Sequence, residues 1–464
     1  MKYILPILLF TVSINIFAQK SKLLSGPWAG NVQLRTATIW AEVAKDVKKV
    51  SVKYYDITKS TTVNKVLGKP SPLMYNFNVK KYTSELGKDF NPIKIELNGL
   101  NFNTIYYYTL LIDDKEVKTN FVTSFTTKDL WQHRKPAPDF NFLAGSCAYT
   151  NEPYFDRPGK PYGEDSTIYE TMANTPAAFH IWMGDNWYTR EVDYESAWGL
   201  NYRASHARSQ PFLQKFMAAM PHYAIWDDHD FGPNDSGGDY ILKDSALKTF
   251  TNYWLNPSSG QKGKGIYTKF SYSDVDFFLT DNRFFRSNDK LLDSIDGKPN
   301  PDKHFFGPEQ MDWLKNALLF SNATFKIIVV GSQVINPLNS LETMQKYSYE
   351  YNSLINFLVS QKIEGVVFFT GDRHHSSVVK IQLPNFYPLY DITISPYTAG
   401  ISKPKGDEAQ SKYRVQGTLV ETQNFGNINV TGTKNQRVMK VEFIGINGKT
   451  LGGCSINSSD LTVK

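Results

Sequence analysis

The chain has 464 residues, of which 41% are hydrophobic and 14% aromatic, so it can bury a large core and exceeds the usual size of one compact domain. Its 51 Lys and Arg against 45 Asp and Glu give a net charge of +6, a mild excess that fits an anionic small substrate as well as nucleic acid. No basic patch interleaved with aromatic residues occurs, which argues against nucleic-acid binding.

Residues 1–18 have the pattern of a cleavable secretory signal peptide, with Lys2 followed by an apolar run and a small residue. We expect the mature chain to begin near Gln19 and to be periplasmic or secreted, with the cell surface as one destination. A membrane anchor is the alternative, but Ser13 and Asn15 interrupt the run. No other segment approaches the roughly 20 apolar residues that span a bilayer, so no transmembrane segment is expected after cleavage.

Residues 24–130 are predicted to form an N-terminal β-sandwich, because apolar and polar residues alternate as in half-buried antiparallel strands. The segment around Tyr106 resembles the part of fibronectin type III-like modules that carries the tyrosine corner. The charged, proline-containing linker TKDLWQHRKPAPD then marks an exposed boundary. The predicted strands are TATIWAEV (36–43), VKKVSVKYY (47–55), PIKIELNGL (92–100), TIYYYTLLID (104–113) and NFVTSFTT (120–127).

Residues 138–464, with a C-terminal β segment at 391–464, form the second predicted domain. Short apolar runs alternate there with segments whose apolar residues recur every 3.6 residues or so. This pattern predicts an α/β fold in which helices cover a largely parallel central sheet, and the C-terminal strands either extend that sheet or cap the core. The predicted helices are DSTIYETMAN (165–174), SQPFLQKFMAAM (209–220), DSALKTFTNYWL (244–255), GPEQMDWLKNALLFS (307–321) and YNSLINFLVS (351–360).

Polar side chains follow the ends of several predicted strands. In α/β sheets the ligand site lies outside the carboxyl ends of the strands, so these residues are expected to converge on one edge. Taken singly, an Asp after a strand is more often a turn residue and a lone His a satisfied surface or core group. The residues concerned are Cys147, Asp185, Tyr188, the 227–230 cluster, Asp281, Asp372 and His374.

The combination of these side chains indicates a metal site. Carboxylate, phenolate and imidazole donors suit a hard or borderline ion such as Fe³⁺, Ca²⁺, Mn²⁺ or Zn²⁺. A carboxylate after a strand can bridge two ions, and two cations about 3.5–4 Å apart form the clamp used for in-line displacement at phosphorus. The donor set therefore favours hydrolysis of phosphate esters.

Six motifs in chain order resemble the PhoD-like alkaline phosphatase/phosphodiesterase family of the calcineurin-like metallophosphatases, from about Gly26 to the end of the chain. The resemblance implies an αββα metallophosphatase core and an iron site partnered by calcium or another divalent ion such as Mn²⁺ or Zn²⁺. The motifs are GSC (145–147), GDNWY (184–188), WDDHDFGPND (226–235), LTDNRFFR (279–286), TGDRHHS (370–376) and NFGNINVTG (424–432).

The resemblance also implies the metal ligands, with Asp185 shared between metals. The remaining ligands are not divided among the ions. The implied positions are Cys147, Asp185 and Tyr188 for iron, and Asn234, Asp372 and His374 for the remaining ligands.

Three further residues match the family's acidic-histidine motif: Asp227, Asp228 and His229. His229 is the candidate that donates a proton to the leaving group or hydrogen-bonds the phosphate. Three arginines are candidates for bidentate contacts to phosphate oxygens, although each can equally be a surface or salt-bridged arginine. They are Arg373, Arg283 and Arg286.

Cys147 and Cys454 are the two cysteines of the chain. In an exported protein a disulfide between them is one interpretation. The other is that Cys147 is a metal ligand, held as thiolate by the cation, while Cys454 is a free or buried thiol.

The adjacent histidines of TGDRHHS are not expected to be equivalent. With strand-like alternation, Asp372 and His374 share one face, and Arg373 and His375 share the other. We therefore expect His374 to be the ligand and His375 a bystander.

The leading functional hypothesis is an exported, metal-dependent phosphoric ester hydrolase, an alkaline phosphatase/phosphodiesterase that uses a metal-activated water. One alternative is a strict phosphodiesterase or phospholipase for lipid or polymer diesters. Another is a catalytically inactive surface binding protein, which the intact set of buried carboxylates argues against. The N-terminus lacks the arginine pair of a twin-arginine signal, so unfolded export would mean that metals are acquired outside the cytoplasm. The sequence leaves the natural substrate, the second metal and the oligomeric state open.

Overall fold

A computed structural model describes residues 21–56, 77–339 and 341–463. The predicted signal peptide at 1–18 lies outside the described residues. The strands are β1 Leu23–Gly30, β2 Thr36–Val43, β3 Val50–Asp56, β4 Asn78–Lys81, β5 Pro92–Asn98, β6 Ile105–Ile112, β7 Lys115–Glu116, β8 Ser124–Thr126, β9 Phe140–Gly145, β10 His180–Met183, β11 His222–Ile225, β12 Thr268–Tyr272, β13 Val275–Leu279, β14 Ser294–Ile295, β15 Lys298–Pro299, β16 Phe325–Val330, β17 Val366–Thr370, β18 Ser377–Ile381, β19 Leu389–Thr393, β20 Asn424–Thr431, β21 Val438–Gly445 and β22 Thr450–Asn457. The α-helices are α1 Thr167–Ala173, α2 Ala197–Arg208, α3 Pro211–Ala219, α4 Asp228–Phe231, α5 Lys243–Tyr253, α6 Pro308–Phe320 and α7 Ser348–Ser360.

The N-terminal strands form two antiparallel sheets that share one hydrophobic core. Strands β1, β2 and β5 make the first sheet, and β4, β3, β6 and β7, with β8 on β6, make the second. Along β5 the buried Ile93, Ile95 and Leu97 alternate with exposed residues, as the sequence pattern predicts. The Tyr106 hydroxyl accepts a hydrogen bond from the Asn101 backbone N–H at 2.9 Å, a contact typical of a tyrosine corner. The finer likeness to fibronectin type III modules stays a prediction.

The rest of the chain contains two six-stranded mixed sheets rather than one largely parallel sheet. The first has the order β11-β10-β9-β20-β21-β22, and the second has the order β12-β13-β16-β17-β19-β18. Parallel pairing is confined to β9–β11 and to β13, β16, β17 and β19. Of the two alternatives for the C-terminal strands, extension is correct, because β20 pairs antiparallel with β9.

The two sheets face each other across an aromatic layer. The Phe142 ring of β9 lies 5.2 Å from that of Phe277 on β13 and 5.9 Å from that of Phe369 on β17. On the other side of the first sheet, Trp182 of β10 contacts Tyr169 of α1 and Phe216 of α3. The predicted mixed α/β fold is confirmed, and among the described residues no helix is long and apolar enough to cross a membrane.

Five predicted helices correspond to α1, α3, α5, α6 and α7, whereas α2 and the four-residue α4 were missed. The buried positions of α2 include Arg203 and Arg208 beside Gly199, Leu200 and Ala204. A helix that buries two arginines has no apolar stripe, so the usual 3.6-residue signal is absent.

The N-terminal sheet packs directly on the second region. Trp28 and Trp40 stack at 4.1 Å, and the Trp40 indole donates to the Asn252 carbonyl at the end of α5 at 2.8 Å. Ser25 Oγ donates to the Arg208 carbonyl at the end of α2 at 2.7 Å. These contacts tie β1 and β2 to the helices that cover the first sheet.

Candidate metal centre

The predicted site residues follow strands that end at one edge of the two packed sheets. Cys147 follows β9, Asp185 follows β10, Asp227 follows β11, and Asp372 and His374 follow β17. Parallel pairing of β9, β10 and β11 aligns three of these ends, and the opposing sheet supplies the fourth. The predicted convergence on one edge is confirmed for these residues.

Cys147, Asp185 and His374 form the first group of donors. Each offers one atom, and these atoms lie within 4.8 Å of one another. The Cys147 thiol is 3.5 Å from Asp185 Oδ2, and the Tyr188 hydroxyl donates to the same oxygen at 3.0 Å. The Tyr188 oxygen also lies 3.2 Å from His374 Nε2. Four of the six predicted ligands therefore share one small volume.

Asp185 also belongs to a second group, with Asp228 and His229, whose donor atoms again lie within 4.8 Å. Its Oδ1 accepts from the His229 backbone N–H at 3.4 Å, so its two oxygens face different neighbours. Gly184, directly before Asp185, lets its chain segment lie close to Asp227. A Cβ at Gly184 would be 2.7 Å from the Asp227 Cβ, and the Gly184 φ is +97°. This geometry is that of a carboxylate able to bridge two cations.

Four of these residues adopt left-handed backbone conformations that side chains other than glycine rarely adopt. The φ angles are 63° at Cys147, 52° at Asp185, 67° at Asp372 and 55° at His374. Such conformations cost about 1–3 kcal/mol each and tend to cluster at functional sites. The strand-to-loop turns thus hold the donor side chains at an energetic cost.

A third group consists of Asp227, Asp228 and Glu342, with Arg283 among them. Arg283 Nε donates to Asp227 Oδ1 at 2.5 Å, and its two terminal nitrogens pair with the Glu342 carboxylate. Asn282 adds a bond to Asp227 Oδ1 at 2.9 Å. Arg283 pairs closely with Asp227 and Glu342 but lies 3.6 Å from Asp228, so the first two groups are the better places for metal.

The carboxylates that lack such a partner are strongly perturbed. Burial raises the pKa of Asp185 well above its usual range, and the nearby Asp228 and Asp227 raise it further. Burial likewise raises the pKa of Asp372, with added repulsion from Glu342 and Asp227. A positive charge placed among these carboxylates would therefore stabilise their ionised forms.

Asp228 and His229, two residues of the acidic-histidine motif, lie close together. His229 Nε2 lies 3.9 Å from Asp228 Oδ2, and the imidazole packs on the Tyr188 ring with centroids 4.2 Å apart. Burial opposes ionisation of Asp228, but His229 and Arg283 outweigh it and lower the pKa of that carboxyl. His229 is about one-quarter exposed, so its ring can reach a bound molecule.

Three predicted residues are not members of the donor groups. Asp372 lies close to them, since Glu342 and Asp227 contribute to its raised pKa. Asn234 is exposed in the turn after α4, where its neighbour Asp235 donates a backbone bond to Asp228 at 2.8 Å, so its role as a ligand stays a prediction. Asp281 was expected at the shared edge, but it is a buried turn carboxylate. Its oxygens accept bonds from Trp226 Nε1 and from backbone N–H groups, among them that of Ile266.

The structure does not support phosphate contacts by the three predicted arginines. All are buried and bound to protein: Arg283 as described, Arg286 to Asp289 and Glu342, and Arg373 to Asn339 and Glu408. Their guanidinium groups neutralise and orient acidic side chains around the site instead.

The structure separates the histidines of TGDRHHS as predicted, but for a different reason. His374 lies in the donor group, while His375 is buried and bonds to the Ser402 carbonyl at 2.9 Å. The segment is not extended, however, since Asp372 and His374 both have positive φ. The turn after β17, not strand alternation, sorts the two side chains.

The pattern of strand ends missed several residues around the site. Ser395 Oγ donates to the Cys147 sulfur at 3.2 Å and accepts from the His374 backbone N–H at 3.0 Å. Glu342 follows β16 after a long loop, and Tyr162 lies in a segment with no helix or strand. Glu342 and Tyr162 do not directly follow a predicted strand, so the rule that found the other residues did not apply to them. Ser395 does lie two residues after β19, within the predicted C-terminal β segment, but it was not singled out.

Cys147 and Cys454 are both free, so the disulfide interpretation is not supported. Cys454 lies on β22 opposite Val441, whereas Cys147 is fully buried among the donors. Burial raises the pKa of the Cys147 thiol well above its usual range, and the adjacent Asp185 adds to the shift. A cation would reverse that shift, because it stabilises the thiolate.

The residues fit a metal. Buried Asp227 Oδ2 has no hydrogen-bond partner among the described residues. The thiol, imidazole and carboxylate donor atoms of the first group lie within 4.8 Å of one another, and the Tyr188 phenol is 3.0 Å from Asp185 Oδ2. Oxygen-rich groups with one imidazole and one sulfur suit a ferric or borderline ion next to a harder one.

Two solved phosphatase structures share this fold. A PhoD structure aligns with a TM-score of 0.71 at 18% identity, over 94% of this chain and 90% of that chain. The purple acid phosphatase PPD1 from yellow lupin (Lupinus luteus) seeds aligns with a TM-score of 0.64 at 10% identity, over 93% and 74%. The architecture is therefore that of known phosphatases.

The chain belongs to the PhoD-like phosphatase family, whose model matches residues 142–441. Alkaline phosphatase D of Bacillus subtilis (strain 168) is 26% identical over 329 residues, which cover 61% of this chain and 53% of that protein. The chain thus spans about half the length of this curated relative.

Proposed function

We propose that this protein is an exported, metal-dependent hydrolase of phosphoric esters, acting on monoesters and diesters as an alkaline phosphatase/phosphodiesterase. One observation carries the proposal: Asp185 joins the Cys147–His374 group to the Asp228–His229 group, with donor atoms within 4.8 Å in each. A bridging carboxylate between two donor groups suits two cations that share one phosphate. Membership of a phosphatase family supports the same chemistry.

The proposed metals are Fe³⁺ at Cys147, Asp185 and Tyr188, with Ca²⁺ or another divalent ion such as Mn²⁺ or Zn²⁺ beside it. When bound, such a pair supplies water activation and neutralises phosphate oxygens. Asn234, Asp372 and His374 complete the proposed ligand set. The similarity to an alkaline phosphatase and to a purple acid phosphatase supports phosphatase chemistry, whereas the choice of ions rests on the donor atoms.

His229 is the proposed proton donor to the leaving group. Its imidazole is partly exposed, lies 3.9 Å from the Asp228 carboxylate and packs on the Tyr188 ring, so it can reach the leaving group of a bound ester. Asp227 keeps Arg283 at the site through a 2.5 Å bond and thereby balances the acidic group. Substrate, on this reading, enters beside His229 and not beside the buried arginines.

Several finer assignments belong to the same proposal. They are the boundaries 24–130 and 138–464, the αββα layering, the fibronectin type III-like character of the N-terminal unit, and signal-directed export to the periplasm or cell surface. Two sheets packed through Phe142 and Phe277 support the layering. The Tyr106 to Asn101 contact supports the fibronectin type III-like character.

The Asp185→Asn variant tests the proposed site. The substitution removes the charge but keeps the shape, and Asn tolerates the φ of 52° at this position. We expect loss of at least about 10³-fold in kcat, because charge stabilisation in such sites contributes several kcal/mol. Initial rates on phosphate monoesters and diesters with added iron, calcium, manganese or zinc measure the effect, and circular dichroism monitors the fold.

Asp296→Asn is the matched control. Asp296 has a similar φ of 50° but is exposed in the turn between β14 and β15. The Asp296→Asn variant should hydrolyse phosphate esters at the rate of wild type. Activity retained by Asp185→Asn would refute the assigned site, and a wild-type protein that hydrolyses no phosphate ester under any metal condition would refute the function.

Preference for lipid or polymer diesters is a second candidate. Exposed aliphatic side chains of Leu292 and Ile295 lie on the segment that begins beside Arg286, and Leu341 is exposed next to Glu342. Trp182 and Trp187, which lie close to Asp185 in the sequence, are buried and so do not offer a surface to such a substrate. A diester presented in micelles and the same diester in monomeric form distinguish the two preferences: faster micellar hydrolysis favours the second candidate.

A further inference from the structure

The segment 151–163 lies over the candidate site and is closed at its base by one side chain. Asn151 Nδ2 donates to the Gly163 carbonyl at 2.7 Å, and the Gly163 N–H donates back to Asn151 Oδ1 at 2.8 Å. The segment has no helix or strand, and its two ends lie together. It is therefore a compact surface loop of the Ω type, hereafter the 151–163 loop.

A buried ion pair holds the loop in place. Asp156 accepts from the Glu152 N–H at 2.6 Å, from the Tyr149 hydroxyl at 2.7 Å and from Arg190 at 2.8 Å. The Arg190 guanidinium also lies over the Tyr149 ring at 4.3 Å. The loop thus has a defined conformation, which Asp156 maintains together with Tyr149 and Arg190 outside the loop.

One residue of this loop, Tyr162, reaches into the donor cluster. Its hydroxyl oxygen lies 3.0 Å from His374 Nδ1, and its ring meets that of Tyr149 edge-on at 5.0 Å. Gly400 allows the approach, since a Cβ there would lie 3.2 Å from the Tyr162 ring. Tyr162 is 46% exposed, so hydrophobic burial alone does not explain its placement.

The hydrogen bonds of His374 determine what Tyr162 does. The Gly400 carbonyl lies 2.7 Å from Nδ1 and can only accept, so Nδ1 carries the proton of the neutral ring. The same N–H also donates to the Tyr162 oxygen, so the hydrogen bond is bifurcated. The lone pair is then on Nε2, the atom that faces Tyr188 and the donor group.

We propose that Tyr162 is a positioning residue, which acts with the Gly400 carbonyl to fix the ring orientation of His374 so that Nε2 is presented to metal. The 151–163 loop is the element that delivers it. Partners of this kind on a metal-binding imidazole change metal affinity by about 10–100-fold when they are removed. The inference rests on the proposed function in one respect, namely that His374 is a ligand.

The Tyr162→Phe variant of the full chain tests the proposal, because it keeps the ring and removes only the oxygen. We expect about tenfold weaker binding of Mn²⁺ and of Zn²⁺, measured separately by competition with a chelator. Tyr154→Phe is the matched control, since Tyr154 is on the same loop but 90% exposed, and it should bind like wild type. Equal affinities of Tyr162→Phe and wild type would overturn the proposal.

A second variant tests the role of the loop. Asn151→Ala removes both bonds at the base while leaving Tyr162 intact, so affinity should fall in the same direction. Circular dichroism of the metal-free protein shows whether the overall fold is kept. An Asn151→Ala protein that is folded and binds metal like wild type would show that the loop does not deliver Tyr162.

A measurement without metal separates this proposal from the proposed function. Nitrogen-15 NMR of histidine-labelled, metal-free protein reports the His374 tautomer, with His374→Gln used to assign the signal. We expect the Nδ1–H form in both proteins, because the Gly400 carbonyl accepts from Nδ1 in both, but a shifted Nδ1 resonance and faster solvent exchange of its proton in Tyr162→Phe. Identical Nδ1 resonances and exchange rates in both would overturn the positioning role, whereas a wild type that binds neither metal would refute the metal site alone.

Discussion

At the scale of single residues, the site combines backbone strain with unbalanced charge. Cys147 and Asp185 both have positive φ, and both have a raised pKa that is caused first by burial. Strain and desolvation oppose folding, so the surrounding structure must compensate for them. A bound cation would remove the electrostatic part, since it stabilises the thiolate and the carboxylate together.

The state of the two cysteines gives a direct test at this scale. Because both are free and Cys454 lies on the outer strand β22, thiol titration of denatured, non-reduced protein should give two thiols per chain. Cys147→Ser should lower the amount of metal retained on purification, whereas Cys454→Ser should not. A count of zero in active protein, or equal metal in both variants, would contradict the ligand assignment of Cys147.

At the scale of elements, helix α2 supports the loop after β10. Its last residue, Arg208, is buried with its guanidinium 4.5–5.2 Å from the rings of Trp182, Trp187 and Trp254. The same group donates to the Asn186 carbonyl at 2.9 Å, and Asn186 directly follows Asp185. A polar residue at the helix end thus holds a strand-to-loop turn of the site.

Substitution of Arg208 should therefore destabilise the protein. Arg208→Ala loses the packing of the long side chain, three cation–π contacts and the bond to Asn186, so we expect a loss of about 3 kcal/mol. Arg208→Met should recover part of this by filling the space. The urea midpoint measures the change, and Arg157→Ala is the control, since Arg157 is 86% exposed in a surface ion pair and should shift stability by less than about 0.5 kcal/mol. An unchanged midpoint in Arg208→Ala would contradict this role.

At the scale of the whole molecule, the N-terminal sheet meets the helices across a buried carboxyl. Glu42 of β2 accepts a bond from the Tyr253 hydroxyl of α5 at 2.9 Å, and its second oxygen has no partner among the described residues. Burial raises the pKa of Glu42 from 4.5 to about 7, while the bonds to Tyr253 and Ser205 oppose the shift. This junction therefore responds to pH.

The expected effect on stability follows from proton binding. Between about pH 4.5 and 7 the folded state holds the Glu42 proton and the unfolded state does not, so the free energy of unfolding should fall as pH rises through that window. The change is roughly 3 kcal/mol at most.

The Glu42→Gln variant should lack this component, because a carboxamide does not ionise. Its stability relative to wild type should therefore improve from pH 5 to pH 8 in urea unfolding. Glu96→Gln, an exposed change on β5 of the same sheet, should follow wild type. Parallel pH profiles of Glu42→Gln and wild type would contradict the assignment.

Many of the elements and several of the candidate site residues could be predicted from the sequence, because both depend on local patterns. Alternation located β2 and β5, the 3.6-residue period located α6 and α7, and the position of polar residues after strands identified Cys147, Asp185, Asp372 and His374. A strand end fixes where a side chain lies whatever the rest of the chain does. That local rule is why these residues could be found without coordinates.

The partners of those residues could be identified only in the tertiary structure. Glu342 meets Arg283, Ser395 meets Cys147 and Tyr162 meets His374 across long stretches of chain, and no local periodicity encodes such encounters. The division of the strands into two sheets and the burial of Arg208 depend on the same long-range packing. Ion pairing and desolvation are properties of the folded molecule. They determine which carboxylates are balanced by an arginine and which are not.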